Sequence, residues 1–265
     1  MKDMKPALNI AVSAARAAGQ IILRSLNRVS ELKVHAKGLN DFVSEVDHYA
    51  EQEIISTIQK AYPSHSILAE ESGKQKGDEC EWIIDPLDGT TNYLHGIPQF
   101  SVSIAMRENN KLQLGVVYDP LKEELFCASR GEGATLNNRR IRVSTQRDLS
   151  GSLLGTGLPY RTDQELDTYL ATLKALLMQT SGIRRAGSAA LDLAYVAAGR
   201  FDGFWEFGLN TWDIAAGVLL IQEAGGLVSD FDGGHTHLES GNIVAANSKL
   251  YKPLISTLNA AIKAE

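Results

Sequence analysis

Two aspartates, Asp85 and Asp88, stand three residues apart in the stretch WIIDPLDGTTNYLHGIP (82–98), at the exit of an apolar run. In an extended strand residues i and i+2 share a face and i and i+3 do not, so these carboxylates converge only if the chain turns between them. Pro86 fixes its own φ and biases Asp85 away from the helical region. Gly89 lets the backbone approach closely whatever sits there. TTNYL behind it can start a helix whose free N–H groups point back at the same spot and favour a phosphate. Carboxylates for a cation then lie beside amides for an anion, which is what a metal-assisted phosphoryl site requires. The same residues also read as plain turn dipeptides, since Asp-Pro and Asp-Gly punctuate loops without any ligand.

Further acids stand in similar settings. AEES supplies Glu70 and Glu71 at the end of a short apolar segment. FVSEVDHYAEQ places Asp47 in the first turn of a helix, and TWDIAAG places Asp213 near another helix start, where it could simply favour the dipole. A hard dication such as Mg²⁺ takes this all-oxygen ligand type, with water completing an octahedron.

Those acids need elements to carry them. Two amphipathic helices are expected at about 5–27 and 44–61, the second opened by a Ser44-x-x-Asp47 capping signature. SILAEES (66–72) and EWIID (81–85) read as strands. QFSVSIAMR, KLQLGVVYD and EELFCASR, separated by ENN, PLK and GEG, read as an antiparallel meander. Beyond residue 150 the texture alternates: helices at about 163–179, 188–198 and 211–224, strands RFDGFWEF, LVSDF and NIVAAN, and a last helix. The fold class is mixed α/β, with an antiparallel first half (1–147), a second half (148–265) and a soft boundary near 145–150, the two forming a single compact unit. The 265 residues, 44% hydrophobic and 22% charged, suffice for a full core. A net charge of −6 makes a nucleic-acid surface unexpected. Cys80 and Cys127 give no disulfide framework, and no stretch reaches the roughly 18 apolar residues of a membrane span, so a cytoplasmic location is expected.

WIIDPLDGTTNYLHGIP, AEES and WDIAAG…EAGG together resemble the signature elements of the inositol monophosphatase family, and GSAALDLAYVAAGRFDGFWEFGLNTWD is similar to its bacterial SuhB-type members. The resemblance runs over essentially the whole chain. It implies the layered α/β sugar-phosphatase fold shared with fructose-1,6-bisphosphatase, and a Mg²⁺-dependent, Li⁺-sensitive phosphomonoesterase that usually forms homodimers. It implies direct attack of a metal-activated water on a myo-inositol monophosphate. By the motif match Glu70, Asp85 and the Leu87 carbonyl would hold one metal; Asp85, Asp88 and Asp213 a second; Glu70 would help with a weaker third. Thr90, with Asp47 as partner, would position the water, and the amides of Gly89 and Thr90 would bind phosphate. Gly187, Ser188, Ala189 and Glu206 would face the inositol ring, with Asp88 and Asp213 beside them. Asp47, Glu70, Asp85, Asp88 and Asp213 total five formal negative charges, which would repel a phosphate monoester unless two or three Mg²⁺ inverted the sign.

Other readings fit less well. The D-x-D-x-T motif of haloacid-dehalogenase phosphatases needs its acids two apart, not three. There is no G-x-S-x-G, and GSA (187–189) reads as a helix start with Ser188 near its cap. HTH (235–237) reads as solvated loop histidines, and GEG (131–133) and GTG (155–157) as turns. Lys37 is either a solvated charge or a group near the site, and Arg184 and Arg185 are either surface charges or an interface. Relatives cleave inositol monophosphates, 3′-phosphoadenosine 5′-phosphate, histidinol phosphate or fructose bisphosphate. Glu206 favours a neutral polyol, because a carboxylate accepts hydroxyls and repels a second phosphate. SuhB-type relatives are also associated with ribosomal RNA transcription complexes, so a protein partner there is the alternative expectation.

Overall fold

The structure is a computed structural model that describes residues 4–26, 28, 34–38, 41–159 and 166–264, with the side chains of 34–38 and 41–43 outside the description. Helix α1 (Lys5–Leu26) precedes the hairpin of β1 (Val34–Gly38) and β2 (Asp41–Ser44), then α2 (Glu45–Ala61). Strands β3 (Ser66–Ala69), β4 (Gly73–Gln75) and β5 (Cys80–Asp88) lead into the short helix α3 (Thr90–Leu94). A meander follows: β6 (Ser101–Glu108), β7 (Lys111–Asp119), β8 (Glu124–Ser129), β9 (Gly133–Leu136) and β10 (Arg139–Arg140). The remainder alternates through β11 (Leu153–Thr156), α4 (Leu166–Leu177), β12 (Gly182–Arg184), α5 (Ala189–Ala197), β13 (Gly203–Glu206) and α6 (Thr211–Glu223). It ends in β14 (Gly226–Ser229), α7 (His237–Ser240), β15 (Ile243–Asn247) and α8 (Tyr251–Lys263).

Eight strands form one sheet in the order β10-β9-β8-β7-β6-β5-β3-β4, antiparallel except for the parallel pair β3 and β5. Five strands form the other, in the order β12-β11-β13-β15-β14, with the first three parallel. Three apolar cores separate the layers. Ala11, Ala15, Ile54 and Ile58 of α1 and α2 pack with Trp82, Ile84 and Val102 on one face of the large sheet. The nearly all-apolar helices α5 and α6 fill the space between the sheets with Leu193, Val218 and Leu219. Helices α4 and α8 cover the far side of the small sheet through Tyr169, Leu176, Trp205 and Leu254. The result is an α/β/α/β/α stack, the layered α/β class expected from the sequence.

Local differences from the sequence reading have physical causes. Strand β3 stops at Ala69, leaving Glu70 and Glu71 just past its end, while β5 runs on through Pro86 and Leu87 to Asp88. Helix α1 is, by length and composition, apolar enough to cross a membrane, contrary to the expectation above. Its alanine stripe (Ala7, Ala11, Ala14, Ala15, Ala18) is instead buried against α2 and the large sheet. In GTG, Gly155 and Thr156 end β11 and Gly157 follows it, so the stretch is a strand end rather than a turn. In HTH, His235 is exposed but His237 opens α7 and is buried, which holds its pKa down. GEG is a turn, its Gly131 and Gly133 amides each donating to the Glu223 carboxylate of α6 at 2.8 Å. Lys37 lies in β1, its side chain outside the described residues.

Ser44 caps α2 as the S-x-x-D pattern anticipates. Its hydroxyl accepts from the Val46 amide at 3.2 Å, and Asp47 accepts from the Ser44 amide at 2.8 Å and hydroxyl at 2.6 Å. Ser44→Ala therefore removes a cap and one support of Asp47, a loss of about 1 kcal/mol. For a chain of this size thermal denaturation should register it as a drop of about 2–4 °C; an unchanged melting temperature would mean that the cap contributes nothing.

Candidate metal and phosphate site

The spacing of Asp85 and Asp88 is resolved by a β-bulge. Asp85 lies opposite Ser103 and Asp88 opposite Ser101, so three steps along β5 are matched by two along β6. One inserted residue restores the phase that the i, i+3 spacing breaks, and the two carboxylates come to one face without a reversal of the chain. Leu87 donates its amide to Asp85 Oδ1 at 3.0 Å, which fixes the buried carboxylate. Leu87 lines the cleft, and its carbonyl accepts from the Thr90 hydroxyl at 3.0 Å.

Each neighbouring acid arrives from the end of a different element. The Glu70 amide donates to the Ile84 carbonyl at 3.1 Å, extending the parallel β3–β5 pairing by one rung to set Glu70 beside Asp85. The buried Glu51 of α2 accepts from the amides of Glu71 and Ser72 at 2.8 and 2.9 Å and so clamps the loop that follows. Asp213 sits in the first turn of α6 and accepts from the Asn210 amide at 2.7 Å. Asp47, fully buried, accepts from the Thr90 hydroxyl at 3.0 Å.

The small-sheet half meets this cluster at Asp88. Its Oδ2 accepts from the Ser188 hydroxyl at 2.6 Å and the Ala190 amide at 2.8 Å, both at the start of α5. The Asn92 side-chain amide donates to the carbonyls of Gln99 at 2.8 Å and Ala186 at 2.9 Å, stapling the loop before α5 to the large-sheet half. Between them Gly89, at φ +94°, leaves no room for a Cβ, which would stand 2.9 Å from the Gln99 carbonyl oxygen. Glu206, half-buried at the end of β13, lies directly over Gly157, where a Cβ would come within 1.8 Å of its Oε1.

A cleft lined by Glu70, Asp85, Leu87, Asp88, Gly89, Thr90, Gly187, Ser188, Ala189, Glu206 and Asp213 thus brings together the residues singled out from the sequence. Asp47 stands behind it, reached through Thr90. The lining also includes Arg185, expected as a surface charge or an interface residue, and Asp192, which is outside the set of site residues expected from the sequence. Asp192 had a signal, an acid inside the apolar run AALDLAYVA. Asn92, Gly157 and Glu51 had none, because their roles depend on contacts across the chain.

Negative charge dominates. Burial above all, and then Glu70, Asp88 and Asp213, raise Asp85 well above the usual carboxylate range. Burial outweighs the Ser188 and Ala190 hydrogen bonds at Asp88, whose pKa rises from 3.8 to about 6. Burial raises Asp47 as well. Arg185 is the sole basic side chain lining the cleft among the described residues. Oxygen donors without nitrogen or sulfur, held against their own repulsion, suit a hard divalent cation. A separate trio, His65, Asp78 and Cys80, has donor atoms within 4.8 Å of one another but lies outside the cleft. There the Trp82 indole donates to His65 Nδ1 at 3.0 Å, and Asp78 accepts from the Ser64 hydroxyl and the Cys80 amide, so the trio anchors the start of β5.

Fold and site define a layered α/β protein with an acidic, oxygen-donor cleft between its two sheets. The model of the inositol monophosphatase family matches residues 3–263, and the chain belongs to that family. It is 56% identical over 261 residues to the Nus factor SuhB of Pseudomonas aeruginosa and 51% identical over 257 to that of Escherichia coli, covering 96% of each chain. Its structure is similar to that of the extragenic suppressor protein suhB from Bartonella henselae (TM-score 0.93, 46% identity, 96% of this chain and 98% of that one). It also matches an inositol monophosphatase from Anabaena (TM-score 0.89, 41% identity, all of both chains).

The raised Asp88 pKa has a sign that can be tested. The folded state binds its proton more tightly than the unfolded chain, so its contribution to stability falls as pH rises from 3.8 to about 6 and stays low above that. In chelator, the stability of the native protein relative to Asp88→Asn should therefore decline across this window; a pH-independent difference would refute the raised pKa of the buried carboxyl.

Proposed function

We propose that this chain is a Mg²⁺-dependent phosphomonoesterase that hydrolyses myo-inositol monophosphate to inositol and phosphate. The observation that carries the reading is the bulge in β5, which aims Asp85 and Asp88 at the same space as Glu70 and Asp213. That donor set fits two to three Mg²⁺, with Glu70, Asp85, the Leu87 carbonyl, Asp88 and Asp213 as ligands. When bound, Mg²⁺ supplies the positive charge that lets a phosphate dianion enter and that stabilises the attacking and leaving oxygens.

The chain's own groups do the positioning. With Asp47 ionised and accepting from Thr90, the threonine hydroxyl is oriented so that its lone pairs face the cleft and can accept from an attacking water. Glu70 stands on the same side as a second acceptor for that water. As the water oxygen bonds to phosphorus, the bond from phosphorus to the inositol oxygen breaks. The attacking water gives up a proton to the Glu70 carboxylate, and the inositol oxygen takes one from solvent water to leave as a hydroxyl, the Glu70 proton returning to solvent. The Gly89 and Thr90 amides hold the phosphate. Gly187, Ser188, Ala189 and Glu206 face the ring, where the Glu206 carboxylate accepts hydroxyls and repels a second phosphate. Li⁺ sensitivity, a homodimer and a cytoplasmic location belong to the same reading.

A second reading, a non-catalytic partner in transcription complexes, is favoured by the names of the SuhB relatives, which are called Nus factors. In cells, an Asp88→Asn allele should rescue a deletion of the gene if this role dominates, and should fail to rescue it if hydrolysis does.

The first experiment is phosphate release from myo-inositol 1-phosphate. Activity should require Mg²⁺ and fall by about 100-fold or more in Asp88→Asn, the scale for removing one electrostatic stabiliser of a transition state. Faster turnover of 3′-phosphoadenosine 5′-phosphate than of the inositol ester would overturn the polyol assignment. Mg²⁺-independent activity would overturn the metal assignment.

A further inference from the structure

We propose that Asp192 is a specificity-determining residue of this cleft, hydrogen-bonding a hydroxyl of the substrate ring. The inference rests on the polyol phosphatase reading above and deepens it.

Asp192 is the one acid of α5 and is 1% exposed. It lines the cleft, one helical turn beyond Ser188 and Ala189, so it shares their face. Its Oδ1 is buried without a hydrogen-bond partner. Burying an unpaired carboxyl group is costly, and a purely structural residue would have found a partner. Capping is no explanation. The Ala190 amide is taken by Asp88, the Leu191 amide by the Ser188 hydroxyl at 3.4 Å and the Asp192 amide by the Ser188 carbonyl at 3.0 Å.

The charges around it select the ligand. Glu206 and Asp88 are the nearest negative neighbours and Arg185 the compensating positive one. Burial and then Glu206 raise Asp192 well above the usual carboxylate range, which disfavours its charged form. An unpartnered carboxyl oxygen accepts from a sugar hydroxyl, and Glu206 in the same lining rejects a second anionic group. The orphan oxygen is thus matched to an uncharged, hydroxyl-bearing ring.

Steady-state kinetics with Mg²⁺ should be compared for the native enzyme, Asp192→Ala and Asp192→Asn, on myo-inositol 1-phosphate and on p-nitrophenyl phosphate, whose ring has no hydroxyl. Loss of one hydrogen bond should raise the KM of Asp192→Ala for the inositol ester by about tenfold or more, with the nitrophenyl ester little affected. Asp192→Asn keeps one donor and one acceptor and should restore the native KM. Removing the unpaired group should also raise the ligand-free melting temperature of Asp192→Ala, by about 2–4 °C. Equal KM changes on both esters, no change on either, or a lowered melting temperature would overturn the role of Asp192 alone. A native enzyme that cleaves the nitrophenyl ester but no inositol phosphate would overturn the function reading and this inference with it.

Discussion

The repulsion among the carboxylates at the end of β5 is the constraint on which the rest of this structure depends. Asp85 is buried with Glu70, Asp88 and Asp213 close enough to raise its pKa, an arrangement that opposes folding on its own. It persists because Asp85, Asp88 and Asp213 are each tied to a backbone amide or a hydroxyl. Leu87 holds Asp85, the start of α5 holds Asp88, and Asn210 holds Asp213. None of these ties is an ion pair, so none neutralises the cluster. The charge stays available for a cation while the geometry is already in place.

This division of labour explains the layered architecture. The parallel β3–β5 pair brings two strand ends to one edge of the large sheet, and α5 and α6 bring two helix starts to the same edge from the layer below. Asp88 belongs to the first half of the chain and is held by the second, as is the loop before α5 through Asn92. The site is therefore a joint between the halves, and anything that shifts one sheet against the other shifts the acids of β5 relative to the start of α5.

The acids, the Asp-Pro-x-Asp-Gly-Thr stretch and the order of helices and strands were legible because they depend on local chemistry. Ser44-x-x-Asp47 is an example: its capping box follows from residue types and spacing alone, and Asp47 serves cap and site together. What was misjudged depends on pairing across the chain. The i, i+3 spacing of Asp85 and Asp88 looked like a turn, because the register of β5 against β6, which converts it into a bulge, is invisible in a single segment. GTG looked like a turn because the reason for Gly157 is the Glu206 side chain, about fifty residues away, lying where a Cβ would be. Arg185 read as a surface charge or an interface residue because its place in the cleft lining depends on how the loop before α5 is stapled by Asn92.

The precision of the site comes from small residues in the central helix layer. A Cβ on Gly217 of α6 would stand 2.5 Å from the Leu193 side chain of α5, and one on Gly115 of β7 would stand 2.8 Å from the Ala216 backbone oxygen. These contacts let α6 seat against both α5 and the large sheet at a separation that a larger side chain would forbid. Asp213 and Asp192 sit at the cleft ends of those same two helices, one turn or less from their starts, so their spacing inherits that of the packed layer. A close-packed interior transmits displacements rather than absorbing them. The apolar layer that offsets the cost of burying the acids is thus also the ruler that spaces them.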